Sequence, residues 1–359
     1  MKRSVQESTF QRECPPVNFG LFYRFEKKFN ANHLKLYFCA FMALFSQSSP
    51  IKAFSQILIL IGLCILGLFI FSLGGIYLCS FVYNLSFSEI QTLTLYPEAN
   101  PNSRIILLII QGFSAVGSFI VAPYLLYLFS KPNDLEPSEP KFSSLILFGL
   151  VFVIAFLMMP VNAWLAAWNE SIHLPDFLNP LQDWALEKEK SLEKLTAYLV
   201  DFQTKSETIL GFAVVALLAG ISEEFFFRKL LQVRIITLVR NPHVGIWLTA
   251  FIFAAIHVQF YGLIPRMILG ALFGYYFYWT GNIALAMFGH ILNNGITLIG
   301  VILYQQKLSP IDVEDPEQIP WYLGAVAAGI TWSLVVMFKE EADKQARKVG
   351  LPTPNSALV

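Results

Sequence analysis

Charge is scarce in this sequence. Only 14% of its 359 residues are Asp, Glu, Lys or Arg, against about a quarter in an average soluble domain. That excludes an ordinary water-soluble globule. The few charges cancel to a formal net charge of zero, so the chain lacks the basic surface of a nucleic-acid binder. Cysteine is also rare, with four at Cys14, Cys39, Cys64 and Cys79. Their spacing fits neither a metal motif nor a secreted disulfide framework, and they read as small buried hydrophobes. The first 33 residues have no apolar core followed by a small-residue cleavage site, which argues against a cleavable signal. Alternating segments of about ten residues are missing, and with them a transmembrane barrel.

What is present is apolar. Hydrophobic residues make up 55% of the chain, and several runs reach the roughly 20 residues needed to cross a bilayer. The expected fold is all-α, a polytopic membrane protein with about eight spans. These are Phe54–Tyr83, Ile105–Phe129, Phe142–Trp168, Glu207–Arg240, Val244–Phe260, Leu263–Trp279, Ile283–Tyr304 and Trp321–Phe338. Residues 1–53 read as a cytosolic tail with an interfacial helix over Leu34–Phe45, and 54–206 as the N-terminal spans with one long extracytoplasmic loop. Residues 207–304 form the chemical core, and 305–359 hold the last span and a cytosolic tail. Within the long loop, Trp184 to Phe202 places Leu192, Leu195, Leu199 and Phe202 on one stripe. That is an amphipathic helix lying on the membrane or capping the bundle. Lys and Arg gather near both ends and at 228–240, which places both termini in the cytosol.

Polar groups inside the core segment carry the chemistry, since an ionisable side chain in hydrocarbon is a functional-site hypothesis by default. Glu224 and Arg228 stand one turn apart and can pair. Glu223 lies about 100° round the helix from Glu224, so one carboxylate is held while its neighbour is left to work. Phe253 and His257 share a face of the fifth span, and His290 and Asn294 share a face of the seventh. Counted from the Pro242 turn, Glu223 and His257 come to nearly the same depth. His290 levels with them only if the fourth and fifth helices project beyond the bilayer. A carboxylate and an imidazole can take a proton from water. A second imidazole and an amide can donate to the oxyanion on a scissile carbonyl. The same Glu and two His could instead hold zinc, although the H-E-x-x-H pattern is absent. A proton relay in a transporter would also use such groups, but no inverted repeat with broken helices is visible.

The three motifs in series, E-E-x-x-x-R at Glu223–Arg228, F-x-x-x-H at Phe253–His257 and H-x-x-x-N at His290–Asn294, resemble those of the CPBP family. That family comprises type II CAAX prenyl endopeptidases and bacteriocin-processing or bacteriocin-immunity proteins. The resemblance implies a CAAX-protease-type intramembrane bundle in which Glu223 and His257 activate water and His290 and Asn294 form the oxyanion hole. Glu224, Arg228 and Phe253 would support them. It implies no cofactor, with a zinc-dependent version as the alternative. The expected partners are a membrane peptide or lipidated protein and the lipid bilayer, with no nucleic acid. The expected location is the bacterial cytoplasmic membrane. A non-catalytic immunity protein is the alternative from a different class.

Overall fold

The computed structural model describes residues 50–130, 144–172, 174–313, 315 and 318–348. The interfacial helix expected over Leu34–Phe45, Cys14, Cys39 and the end of the C-terminal tail lie outside these residues. Among the described residues the regular structure is entirely helical, as the runs of Leu, Ile, Phe and Ala dictate.

The elements are α1 (Pro50–Tyr83), a short α2 (Phe87–Thr92), α3 (Ser103–Ser130), α4 (Leu145–Glu170) and α5 (Asn179–Val200), followed by α6 (Lys205–Val239). The chain continues through α7 (Pro242–Ala255), α8 (Leu263–Thr280), α9 (Ile283–Gln305) and α10 (Trp321–Lys348). Each expected span is helical. Among the described residues six helices, α1, α3, α4, α6, α9 and α10, are long and apolar enough to cross a bilayer, and α7 is a shorter apolar helix. Apolar side chains such as Ile65, Phe69 and Phe81 of α1 remain exposed on the outside. A soluble fold would bury so long a stripe, whereas lipid solvates it. The protein is an integral, polytopic helical membrane protein.

Among the described residues, two of the packed groups bear on the site. One core joins α4, α8, α9 and α10 around Leu147, Ile154, Phe273, Leu285 and Phe338. The other joins α1, α3, α6 and α7 around Leu60, Leu126, Phe227, Leu230 and Phe253. The groups meet where α7 packs on α8 and where α6 crosses α9. Gly220 permits that approach, because a Cβ there would stand 2.9 Å from the backbone nitrogen of Ile291. Two glycines of α8 permit close packing in the same way. Gly270 lies against Ala250 and Phe253, and Gly274 against Gln232 and Ile246.

Three features depart from the sequence reading. α6 contains two wide π turns, at Phe212–Leu218 and Phe225–Gln232. α10 runs on to Lys348, beyond the expected end at Phe338, because Lys339–Asp343 and Lys344–Glu341 pairs support further turns. α7 stops at Ala255, short of the expected Phe260. There Val258 takes a positive φ of 54°, which a β-branched residue in a helix cannot sustain.

The loop helix α5 forms over Asn179–Val200 and docks on the bundle. Leu195 and Leu199 pack beside Ile106 and Leu107 of α3. The buried Arg104 holds its far end, donating to the Tyr198 carbonyl at 2.8 Å and pairing with Glu207 of α6 at 3.2 Å. Trp184 meets Phe260 edge-on at 5.7 Å. The helix therefore lies across the loop that follows α7.

Candidate active site

The site forms where the polar residues of α6 face those of α9. The helical spacing of Glu224 and Arg228 sets the first contact, in which Arg228 Nε donates to Glu224 Oε2 at 2.7 Å. Both side chains are fully buried. The other carboxylate oxygen, Oε1, accepts from His290 Nδ1 at 2.9 Å. Glu224 is thereby saturated between a guanidinium and an imidazole. Arg228 Nη1 and Nη2 have no hydrogen-bond partner among the described residues, and the Phe253 ring lies 5.4 Å from the guanidinium carbon. An aromatic face offsets part of that buried charge.

Glu223 is placed differently. Its side chain is 17% exposed and accepts no hydrogen bond among the described residues; its nearest partner is His290 Nε2, 4.0 Å from Oε2. The adjacent carboxylates thus divide, as their angular separation on α6 requires. One is held from both sides, and the other lies beside an imidazole without a hydrogen bond among the described residues.

Phe253 is the hub of the site. Its ring meets His257 at 5.1 Å, His290 at 5.9 Å and Phe227 at 5.1 Å. Phe273 stacks on the other face of His290 at 5.3 Å and 20°. Gly289, beside His290, leaves room for this, since a Cβ there would touch Phe273. The two imidazoles stand at one level, both against Phe253.

His257 lies in the turn after α7, not on the helix. Its Nδ1 is 2.8 Å from the Phe253 carbonyl. A carbonyl only accepts, so Nδ1 carries the proton and Nε2 keeps its lone pair. No hydrogen bond or ion pair joins His257 to Glu223 among the described residues, although the two were expected to match in depth. His290 is the imidazole nearer to Glu223. Asn294 sits on the His290 face of α9, yet its amide is already engaged. Nδ2 donates to the Val215 carbonyl at 2.9 Å, and Oδ1 accepts from Asn293 at 3.2 Å. Val215 belongs to the first π turn, whose wide geometry turns a carbonyl outward. One of the two N–H groups of Asn294 remains.

Several residues at the site carry no motif. Asn169 of α4 holds the α8 end of the His257 loop, donating to the Phe260 carbonyl and accepting from Ile264 N, each at 2.9 Å. Glu189 of α5 accepts from Tyr261 N at 3.3 Å. Arg266 of α8 donates to Gln259 Oε1 at 2.8 Å, and its charge acts on Glu223, His257 and Glu189. Only a signal joining residues 72 to 95 apart could have revealed the Asn169 and Glu189 contacts, and no periodic pattern does so. Arg266 could have been noticed as a cation in the first turn of an apolar helix. The small cavity beside the site is apolar, lined by Val151, Ile154, Met158, Leu269, Phe273 and Tyr276. No group of three or more His, Cys, Asp or Glu among the described residues is arranged to hold a metal ion.

No curated protein and no solved structure matches the chain. Residues 205–296, which run from the start of α6 through His290 and Asn294, match the family described as type II CAAX prenyl endopeptidase Rce1-like. The match covers about a quarter of the 359 residues and contains every motif residue. By that match the segment carrying the motifs, α6 to α9, is similar to a family of membrane endopeptidases.

Proposed function

We propose that this protein is an intramembrane endopeptidase of the glutamic type that hydrolyses a peptide bond in a membrane-associated or lipidated substrate. The observation that carries the reading is the division of labour between the paired carboxylates. Glu224 is locked between Arg228 and His290, while Glu223 is free of hydrogen bonds and faces His290 Nε2.

Water bound beside Glu223 gives a proton to its carboxylate or to the unprotonated Nε2 of His257, and its oxygen adds to the scissile carbonyl carbon. The carbonyl oxygen gains the negative charge. His290, whose Nδ1–H is fixed on Glu224, would present Nε2–H to that oxygen when protonated, together with the remaining N–H of Asn294. Collapse of the adduct expels the amine, which takes up the proton abstracted from water. Arg228 and Glu224 orient the imidazole and do not touch the substrate. Phe253 and Phe273 hold its plane. This reading uses no metal, and zinc held by Glu223, His257 and His290 is the alternative to be tested.

The experiment is cleavage by the purified protein in detergent of a mixed library of prenylated and unmodified membrane peptides, with and without a strong chelator. Glu223→Gln and His257→Ala should each lower turnover by about 100-fold or more. Asn294→Ala should cost about 10- to 100-fold. Turnover should be indifferent to the chelator. Activity removed by the chelator and restored by zinc would replace this mechanism with a metal-dependent one. Activity retained in Glu223→Gln would remove the glutamate from the reaction.

A further inference from the structure

Arg266 stands beside the candidate site without an obvious structural reason. It lies in the first turn of α8, where the helix dipole disfavours a cation. Its guanidinium has five N–H groups and spends them on neutral acceptors, Gln259 Oε1 at 2.8 Å and the Gly262 carbonyl at 3.4 Å. It forms no ion pair among the described residues, although Glu189 and Glu223 both feel its charge. Gly262 gives the group its seat. A Cβ there would stand 3.0 and 3.2 Å from the two Nη atoms. Gln259 is the second residue after His257, so the fork is fixed on the same loop as the candidate base. A cation placed against the helix dipole, seated on a glycine and left without a carboxylate has the form of a receptor for an incoming anion. In a peptidase, the anion that arrives with the substrate is a carboxylate, and a guanidinium fork matches it with two parallel bonds.

We propose that Arg266 is a specificity residue whose fork holds a carboxylate of the peptide substrate beside Glu223 and His257, so that peptides bearing a carboxylate near the cut bond are selected. This rests on the peptidase reading of the site. Two sources offer the same chemistry, the free C-terminus of the peptide and an Asp or Glu side chain.

The probes are three fluorescent farnesyl-cysteine peptides with three residues after the cysteine. One is a C-terminal free acid, one its C-terminal amide, and one the amide with Asp at the last position. Binding is measured by anisotropy on the full chain carrying Glu223→Gln, and KM and kcat on the chain with Glu223 intact. The free acid should bind about 10- to 100-fold more tightly than the neutral amide, the yield of a charge-assisted bond. Arg266→Gln in the same background should bring that ratio toward one, and Arg266→Lys should keep part of it, because Lys retains charge but not the fork. Recovery of affinity by the Asp peptide assigns the pocket to any nearby carboxylate; its failure assigns it to the terminus. Equal binding of acid and amide overturns the proposal, as does a loss in Arg266→Gln that falls on kcat alike for every probe, the mark of a loop clamp. These outcomes are separate from the mechanism itself, which fails if Glu223→Gln retains its activity or if a chelator removes activity that zinc restores.

Discussion

Neighbouring glutamates of α6 should respond oppositely to the same substitution. Glu224 makes two charge-assisted hydrogen bonds, to Arg228 and to His290, each worth about 1.5–3 kcal/mol. Both of its salt-bridge partners are almost or wholly buried. Removing the carboxylate strands the Arg228 charge, whose Nη atoms already lack partners, and breaking a buried pair costs about 3–5 kcal/mol. Glu224→Ala should sit at the upper end of that range. Glu224→Gln should sit near 3 kcal/mol, because the amide can still accept from Arg228 Nε. Glu223 has no hydrogen bond to lose and one contact at 4.0 Å. Glu223→Gln should therefore change stability by less than about 1 kcal/mol while abolishing turnover. The assay is unfolding of each purified variant in detergent by graded SDS, read by helical circular dichroism, beside its peptidase rate. Equal destabilisation by Glu223→Gln and Glu224→Gln would refute the division of roles, as would a stable Glu224→Ala.

Other expectations follow from the packing around the site. Gly220→Ala should destabilise by about 1–3 kcal/mol through overpacking, since its Cβ would meet Ile291 Cγ1 at 2.6 Å. Turnover should fall with it as α6 and α9 part, and an unchanged unfolding midpoint would contradict the close crossing. Asn169→Leu leaves Ile264 N and the Phe260 carbonyl without the amide that ties them, a loss of about 1–3 kcal/mol for each buried group left unsatisfied. Faster amide hydrogen exchange over 256–264, with reduced turnover, is the expected readout. Protection unchanged there would show that Asn169 does not hold the loop.

The helices were legible because apolar length fixes them, and the Glu224–Arg228 pair because it is local, one turn along one helix. His290 and Asn294 were legible as a face for the same reason. The placement of His257 was not. Counting from Pro242 assumes an unbroken helix, whereas α7 ends at Ala255 under constraints from Val258 and from Asn169, 91 residues away from the carbonyl it holds. The prior engagement of Asn294 depends on Val215 lying in a π turn, and such a turn has no sequence signature. Arg266 carries no motif, and only its contacts with Gln259 and Gly262 give it a fixed address. Residues that act within one helix can be read from spacing. Residues that join two helices depend on crossings that spacing does not encode.

The two wide turns of α6 make its length and its rotation separable. A π turn holds more residues per turn than the α turn it replaces, so the portions of α6 flanking Phe225–Gln232 are rotated relative to each other beyond what a uniform helix would give. Removing one residue from that segment would shorten the helix by only about 1.5 Å but swing everything on one side by about 100°. Glu224 would then leave Arg228, or Gln232 would leave the carbonyl of Gly274 that it now reaches at 3.1 Å. The segment acts as a vernier: it aims the paired carboxylates, Glu223 and Glu224, and the α8 contact independently along a single rod.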